Sequence, residues 1–424
     1  MTIGIACTTN GTSPVIESKP KLAQLDASKL IITKCKNLKP IPPPDEMTFG
    51  SVKTDYMLVA EYNPKTGWSA PEIKPYGPLS LDPASSCFQY CPNVFEGMKA
   101  YLGPDGTPRL FRPQKNMERL SRSLHRAALP PINTPALLTL LKRLVTLESR
   151  WIPDLPGYSM YIRPTVIGTR ASLGVAASDS ALLYVILCPT GPYFRSQGNG
   201  SGTKAISLLA VSEHVRSWPG GTGEFKLGLN YAPGFMPQTL AKERGYDSIL
   251  WLIPKIHQND NGEKQITEAG AMNFFAVLKR DDGDIDVITP SLDGTILPGV
   301  TRDSCLALIR AHSSPSNPFT IPGLSATARI HTVERTMVMS EVERWAEEGR
   351  LLEIFCVGTA ATVALVSKIG LDGLSAQPQV EGGERMLVLP ESHSSGSVAS
   401  GLLEALGAIQ TGRMQFEDWC MACS

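Results

Sequence analysis

No stretch of this 424-residue chain holds the roughly 18 consecutive apolar residues that a helix needs to cross a bilayer. Neither sign of charge predominates: 40 Lys and Arg stand against 40 Asp and Glu. The basic excess that a nucleic acid or an anionic membrane demands of its partner is missing, although a local pocket for one phosphate stays compatible with this balance. Arginine is absent before Arg109, so an Arg-rich mitochondrial presequence is a poor match. The opening MTIGIACTTNGTSPVIESKPK also lacks the charged lead and apolar stretch of a secretory signal, and the expected location is cytoplasmic. The nine cysteines are odd in number and scattered, which excludes a secreted disulfide framework. Cys420 and Cys423 form a C-x-x-C at what reads as a frayed C-terminus, and without further Cys or His nearby they read as an incidental tail rather than a metal site. Several catalytic signatures are lacking as well: G-x-S-x-G, H-E-x-x-H, a Walker loop and G-x-G-x-x-G. The six histidines show no metal-like spacing. Metallohydrolase, Ser-His-Asp hydrolase and nucleotide-binding readings all weaken accordingly.

What is present fits a globular enzyme: 42% of residues are hydrophobic and 19% charged. The length exceeds one ordinary core, so two domains are expected. Residues 1–48 read as an arm, loosely ordered at first and extended through the Pro-rich KPIPPPDE. A small α/β domain is expected over 49–190. In it, β-type runs (DYMLVAEYN, CFQYCPNVFEGMKAYL, TPRLFRP) precede two helices split by Pro130 and Pro131, and then come the strands SMYIRPTVIG and SALLYVILCP. The Gly/Pro/Ser-rich segment around 191–204 reads as a linker. A larger domain is expected over 205–424. Its strands are KAISLLAV, DSILWLI, AMNFFAVLKR, DIDVITP and LLEIFCV, its helices start near PGFMPQTL, TRDSCLALI and MSEVERWAEEG, and 380–400 reads as a polar loop. Strands and helices mix without βαβ alternation, so the fold class is α+β.

Candidate chemistry begins with Lys226 in GGTGEFKLGLNY. Glycines let backbone approach a flat ligand, and a buried lysine can attack carbonyls. From spacing alone, a surface lysine on a flexible loop is the favoured reading. Glu268 in ITEAGAMNFF is a carboxylate that could meet a protonated pyridine nitrogen, or a strand-end Glu in water. Arg119 on a helix, and the turn Gly299, Val300 and Thr301 where a helix opens, are anion-site candidates set against an exposed charge and an ordinary cap.

Together, NVFEGMKAY, LFRPQKNMERL, YIRPTVIGTRASLGV, GGTGEFKLGLNYAP, ITEAGAMNFF, LDGTILPGVTRDS and VGTAA resemble the branched-chain amino acid aminotransferase family of fold type IV pyridoxal 5'-phosphate (PLP) enzymes, and the fungal style of the flanking segments suggests a fungal paralogue. The resemblance covers about residues 25–424 and rests on motif order. It implies that Lys226 carries the cofactor as a Schiff base and shuttles the reaction proton. It further implies that Tyr231 bonds the cofactor phenolate, Glu268 pairs with the pyridinium, and Arg119, Val300, Thr301 and Thr359 hold the phosphate, with Leu297 and Gly358 sandwiching the ring. For the substrate it implies Tyr90, Phe95, Tyr161 and Arg163 from the small domain, with Arg163 meeting the second carboxylate of glutamate. Ala360 and Ala361 would meet the α-carboxylate, and Leu173 and Val175 would come from a neighbouring subunit of a homodimer.

The chain departs from the family pattern at several points. Ala271 stands where Thr is usual, which removes a hydroxyl that helps hold the substrate carboxylate. Leu229 replaces a common Gly and is expected to add bulk near the cofactor. Pro92 precedes a strand, and the redox C-x-x-C of some members is absent after GTA. The expected reaction is ping-pong transamination between an L-branched-chain or related apolar amino acid and 2-oxoglutarate, in a paralogue of secondary metabolism. The alternatives are another type IV enzyme (a D-amino acid transaminase or an aminodeoxychorismate lyase) and a non-catalytic PLP-binding paralogue.

Overall fold

A computed structural model of the chain describes residues 22–194, 204–254, 262–312, 314, 319–374, 385–390 and 397–423. Residues 1–21 of the expected arm, 195–203 of the expected linker and much of the polar segment 380–400 lie outside them.

Alternating apolar residues build a first sheet of ten strands among the described residues. At its centre Ser159–Gly168 and Ala181–Thr190 pair antiparallel along their whole length. Tyr56–Asn63 flanks them on one side, and Asn93–Phe95 and Met98–Leu102 on the other. Side chains alternate across a strand. Met98 and Ala100 therefore join the core beneath the helices Pro113–Arg126 and Thr134–Leu147, which contribute Leu120, Leu124, Leu137, Leu141 and Leu144 at helical spacing. Tyr101 points the other way, into a second core shared with Phe275, Phe355 and Leu406. The Asn133 side chain accepts from the Ala136 N–H and starts the second helix with Pro135 in its first turn.

The second sheet has nine strands among the described residues and mixes parallel and antiparallel pairs. The helices Val300–His312 and Val398–Gln410 cover one face, and Met339–Glu347 covers the other. Two tight hairpins decide where chemistry can occur. Lys264–Ala269 turns into Met272–Lys279 through Gly270 and Ala271, and Gly270 adopts a left-handed φ of 58° that a two-residue turn requires. Leu351–Gly358 turns into Thr362–Gly370 through residues 359–361, with Thr362 itself at φ 62°. Because Asn273 pairs with Val357, both turns sit at the same end of the sheet.

Several sequence expectations need correction. Within the β-type run at 87–102, Ser86–Tyr90 is a helix that ends where Cys91 turns left-handed at φ 53°. Pro92 sits just ahead of the strand Asn93–Phe95; its carbonyl accepts the Gly168 N–H, and its missing donor is not needed there. The strands Ile330–Glu334 and Thr362–Gly370 went unread, and the polar segment runs into the helix Val398–Gln410. The C-terminus is not frayed. Cys420–Ala422 pairs antiparallel with Pro108–Phe111, so the chain's last strand returns to the first sheet instead of closing the second domain. Cys423 is buried, and its N–H donates to the Pro108 carbonyl.

Trp419 seats that returning tail. It packs between Phe111 and Phe416, and the Arg112 guanidinium lies 4.1 Å above its ring. The Arg112 N–H donates to the Trp419 carbonyl at 2.8 Å. Trp419→Ala should lower unfolding stability by about 3–5 kcal/mol, the usual cost of emptying a large aromatic site. Chemical denaturation measures it; an unchanged midpoint would mean that the tail docks without contributing.

Candidate active site

A cavity of about 770 Å³ opens between the two sheets. It is bounded by the two hairpin turns, the start of the helix Val300–His312, the strand Asn93–Phe95 and the loop carrying Lys226. Such a volume suits a cofactor together with a small substrate.

The Lys226 loop is stitched to the first sheet, not left on the surface. Lys226 N–H donates to Ser123 Oγ at 3.0 Å, and its carbonyl accepts the Phe95 N–H at 3.1 Å. Leu227 is buried and bridges to Val94, and Phe225 packs on the same core. With 225 and 227 turned into the core, the side chain of 226 faces the cavity. Its Nζ donates to Tyr231 Oη at 3.0 Å and lies 4.7 Å from the Phe95 ring centre. Leu229 is exposed and does not line the cavity, so the bulk expected from it next to the cofactor does not arise.

Glu268 is fully buried beside the first hairpin. Its Oε1 accepts the Leu297 N–H at 2.8 Å and its Oε2 takes the Arg216 guanidinium at 2.9 Å. Burial lifts the Glu268 carboxyl above its ordinary value, and Arg216 partly opposes that. Asn273 Nδ2 lies 3.4 Å from the same Oε1, and Glu268 itself lines the cavity. Sequence reading missed Arg216, because nothing local ties it to a residue 52 positions on.

The anion end rests on Arg119, which is buried and clamped. Its Nε and Nη2 donate to Glu96 at 2.8 and 2.9 Å, and Nη1 donates to the Pro298 carbonyl at 2.9 Å. Burial opposes the charge of Arg119, but the Glu96 carboxylate holds its pKa above the ordinary value. Two of its five N–H donors are left over. They lie with the start of the helix Val300–His312, whose first N–H groups have no intrahelical partner. Gly299 is required there: a Cβ would fall 2.1 Å from Asn273 Oδ1. Val300, Thr301 and Thr359 all border this space. The donor set fits a phosphate, and a carboxylate lining the cavity at Glu268 fits a protonated ring nitrogen.

On the substrate side, Phe95, Tyr161, Arg163, Ala271, Ala360 and Ala361 line the same cavity, as do Leu297 and Gly358. Arg163 Nη2 donates to Tyr161 Oη at 3.0 Å, and the guanidinium lies 4.7 Å from the Phe95 ring and 5.1 Å from that of Tyr161. Its Nε is buried without a partner among the described residues. Phe49, Thr165, Tyr184, Tyr193 and Phe194 complete the wall and were not foreseen. Strand alternation from Tyr161 through Arg163 would have reached Thr165. Tyr90 ends the helix Ser86–Tyr90 on the outside, bonds the Leu173 carbonyl, and does not border this cavity. Leu173 and Val175 are also outside it, 65% and 85% exposed.

Comparison with known proteins matches residues 93–331 to the family described as amino-transferase class IV. The chain is 42% identical to the mitochondrial branched-chain-amino-acid aminotransferase of Schizosaccharomyces pombe, covering 93% of this chain and 85% of that one. It is also 42% identical to the cytosolic enzyme of that name from Saccharomyces cerevisiae, over 94% and 97% of the two chains. The crystal structure of a branched-chain aminotransferase from Thermoproteus uzoniensis with norvaline superposes with a TM-score of 0.63 at 20% identity, over 87% of this chain and all of that one, and so shares the fold.

Replacing Arg216 with Met removes the cation in contact with Glu268. The carboxyl should then titrate about one to three units higher, carrying the acid limb of the activity profile up with it. A limb that stays at the wild-type pH would show that Arg216 does not tune Glu268.

Proposed function

Since this chain belongs to the class IV amino-transferase family and is a pyridoxal-phosphate-dependent branched-chain-amino-acid transaminase, we propose that Lys226 is its cofactor-bearing lysine and 2-oxoglutarate its amino acceptor. The convergence of Lys226–Tyr231, Glu268–Arg216 and Arg119 with a helix start on one cavity carries this reading.

When bound, the cofactor supplies an electron sink for the carbon that loses its proton. The protein's part follows from geometry. Lys226 Nζ would hold the cofactor and, once freed, would be the base that takes the proton from the substrate Cα and the acid that returns it. Tyr231 Oη, 3.0 Å away, keeps Nζ on that line. Glu268 would pair with the protonated ring nitrogen, and the Arg216 guanidinium favours the charged form of Glu268 against the effect of its burial. Arg119, Val300, Thr301 and Thr359 would hold the phosphate, and Leu297 and Gly358 would line the space for the ring. Phe95 and Tyr161 offer apolar faces to a branched side chain. Arg163 offers its guanidinium to the second carboxylate of the acceptor. Ala360 and Ala361 present backbone N–H groups to the α-carboxylate.

The assembly proposed is a homodimer. It is supported by Leu173 and Val175, apolar and solvent-exposed on a loop that serves no cavity of its own chain, with Tyr90 beside them. A monomer by sedimentation at assay concentration would overturn it. The compartment proposed is the cytoplasm, supported by the likeness to the cytosolic Saccharomyces cerevisiae enzyme over 97% of that chain; a tagged chain found in mitochondria would overturn that. A role in secondary metabolism is supported by Ala271, where the hydroxyl is lost.

Lys226→Ala should abolish turnover and the visible absorbance of the lysine-bound cofactor; retention of both would remove Lys226 from its role. Mixing the cofactor-loaded enzyme with each of the 20 amino acids should convert the cofactor to its amine form most readily with leucine, isoleucine and valine. Preferential conversion by a different group would support the secondary-metabolism reading. Ala271→Thr restores a donor to a charged group and should lower the KM for the amino acid about tenfold. An unchanged KM would mean that another donor already replaces the hydroxyl.

A further inference from the structure

Lys99 is a buried lysine for which the reaction as described has no use. It sits on the strand Met98–Leu102, on the face that turns toward the second sheet, with Tyr101 two residues on. Only 7% of it is exposed. Its Nζ donates to the Ala360 carbonyl at 2.8 Å, one acceptor among the described residues for three donors. Behind it a hollow of about 20 Å³ is bounded by Tyr101, Asn116, Thr301, Thr359 and Gln410, none of them a carboxylate. An ammonium is expensive to bury without a counter-charge. This one is spent on a single carbonyl in the turn 359–361, which borders the main cavity.

The turn needs such a hold. It closes a three-residue hairpin in which Thr362, a β-branched residue, takes a left-handed φ of 62°. A trans peptide points its carbonyl and the following N–H in opposite directions. Fixing the Ala360 carbonyl toward Lys99 therefore aims the Ala361 N–H away from Lys99, toward the side where Ala361 lines the cavity.

We propose that Lys99 is the positioning residue of the carboxylate site: its ammonium holds the 359–361 turn so that the Ala361 N–H meets the α-carboxylate of the bound amino or oxo acid. The proposal rests on the functional reading above, in which that turn receives the carboxylate. Lys99 also ties the first sheet to the second at the point where substrate would bind.

The proposal has a pH signature. Burial lowers the Lys99 ammonium to about 8. The titratable groups facing it are Tyr101, which burial keeps protonated, on its own strand, and Tyr161, its partner across the strand Ser159–Gly168. Asn116 of the helix Pro113–Arg126, Thr301 of Val300–His312, Thr359 of the turn and Gln410 of Val398–Gln410 carry no charge. As pH rises through about 8 the charge-assisted bond is lost, and KM for the amino acid should climb.

The test uses the cofactor-loaded enzyme and leucine. Lys99→Met should keep the visible cofactor band, raise KM at least about tenfold with kcat changed far less, and flatten the alkaline rise in KM. Lys99→Arg, charged at every assay pH, should restore a low KM and also flatten that rise. Wild-type KM and pH dependence in Lys99→Met would overturn the proposal. So would loss of the cofactor band with KM unchanged, which would move Lys99 to the phosphate. A wild-type enzyme without cofactor band or transamination would instead defeat the functional reading, and that is seen before any variant is made.

Discussion

A guanidinium taken out of water without a partner costs several kcal/mol, and Arg119 is buried at the junction of the two sheets. Glu96 makes that burial possible. It is wholly enclosed, accepts two bonds from Arg119 and one from Asn116, and is held ionised despite its burial by the Arg119 charge. The pair belongs to the first sheet and its helix, yet Arg119 also holds the Pro298 carbonyl, just ahead of the helix Val300–His312. The anion end of the cavity is thus assembled across both halves of the protein. Removing either partner would leave a charge buried alone, a loss of about 3–5 kcal/mol by the behaviour of such pairs.

The charges around the cavity can be paired off one by one. Arg119 has Glu96, Arg216 has Glu268, and Asp247 has Lys204. Lys226, Arg163 and Lys99 remain with no carboxylate partner among the described residues. They lie at different parts of the site: one beside Tyr231, one above Phe95, one behind the 359–361 turn. The proposed ligands bring complementary charge, a phosphorylated ring and one or two carboxylates. Lys226 and Arg163 would each then meet an anion of the ligand, while Lys99, the buried one of the three, is answered by the Ala360 carbonyl.

How much of this was legible in the sequence depends on the distance over which each signal acts. Long strands such as Ser159–Gly168 and Ala181–Thr190 announce themselves through continuous apolar runs, and the helix pair after Pro113 through its spacing. Lys226, Glu268 and Arg119 were readable only as motifs in order, because each alone fits an exposed charge. Their environment was not readable. Arg216 meets Glu268, and Glu96 meets Arg119, by folding rather than by spacing. The helix Val398–Gln410 was hidden by its glycines, one of which packs against the Pro322 carbonyl. The final strand was hidden by its shortness and by a partner more than 300 residues earlier. The helix Ser86–Tyr90 was hidden because a left-handed Cys91 ends it within a run that otherwise reads as strand.

The pocket's chemistry also bears on how one site would take two unlike substrates. A branched side chain needs apolar walls, while 2-oxoglutarate needs a cation for its far carboxylate. Arg163 stands against the rings of Phe95 and Tyr161, with one bond to Tyr161 Oη. Stacked there, the guanidinium is partly satisfied by the ring faces, an interaction worth about 0.5–2 kcal/mol. A planar guanidinium beside aromatic rings can extend an apolar wall through its faces while offering N–H groups at its edge. Apolar side chains would meet the rings and the flat of the group; a carboxylate would meet the edge, where the buried Nε is still without a partner. Lysine in its place could carry the charge but not the flat face, and its strongly hydrated ammonium would be costly beside leucine. An arginine set against aromatic rings would in this way let one cavity accept both an apolar side chain and a carboxylate.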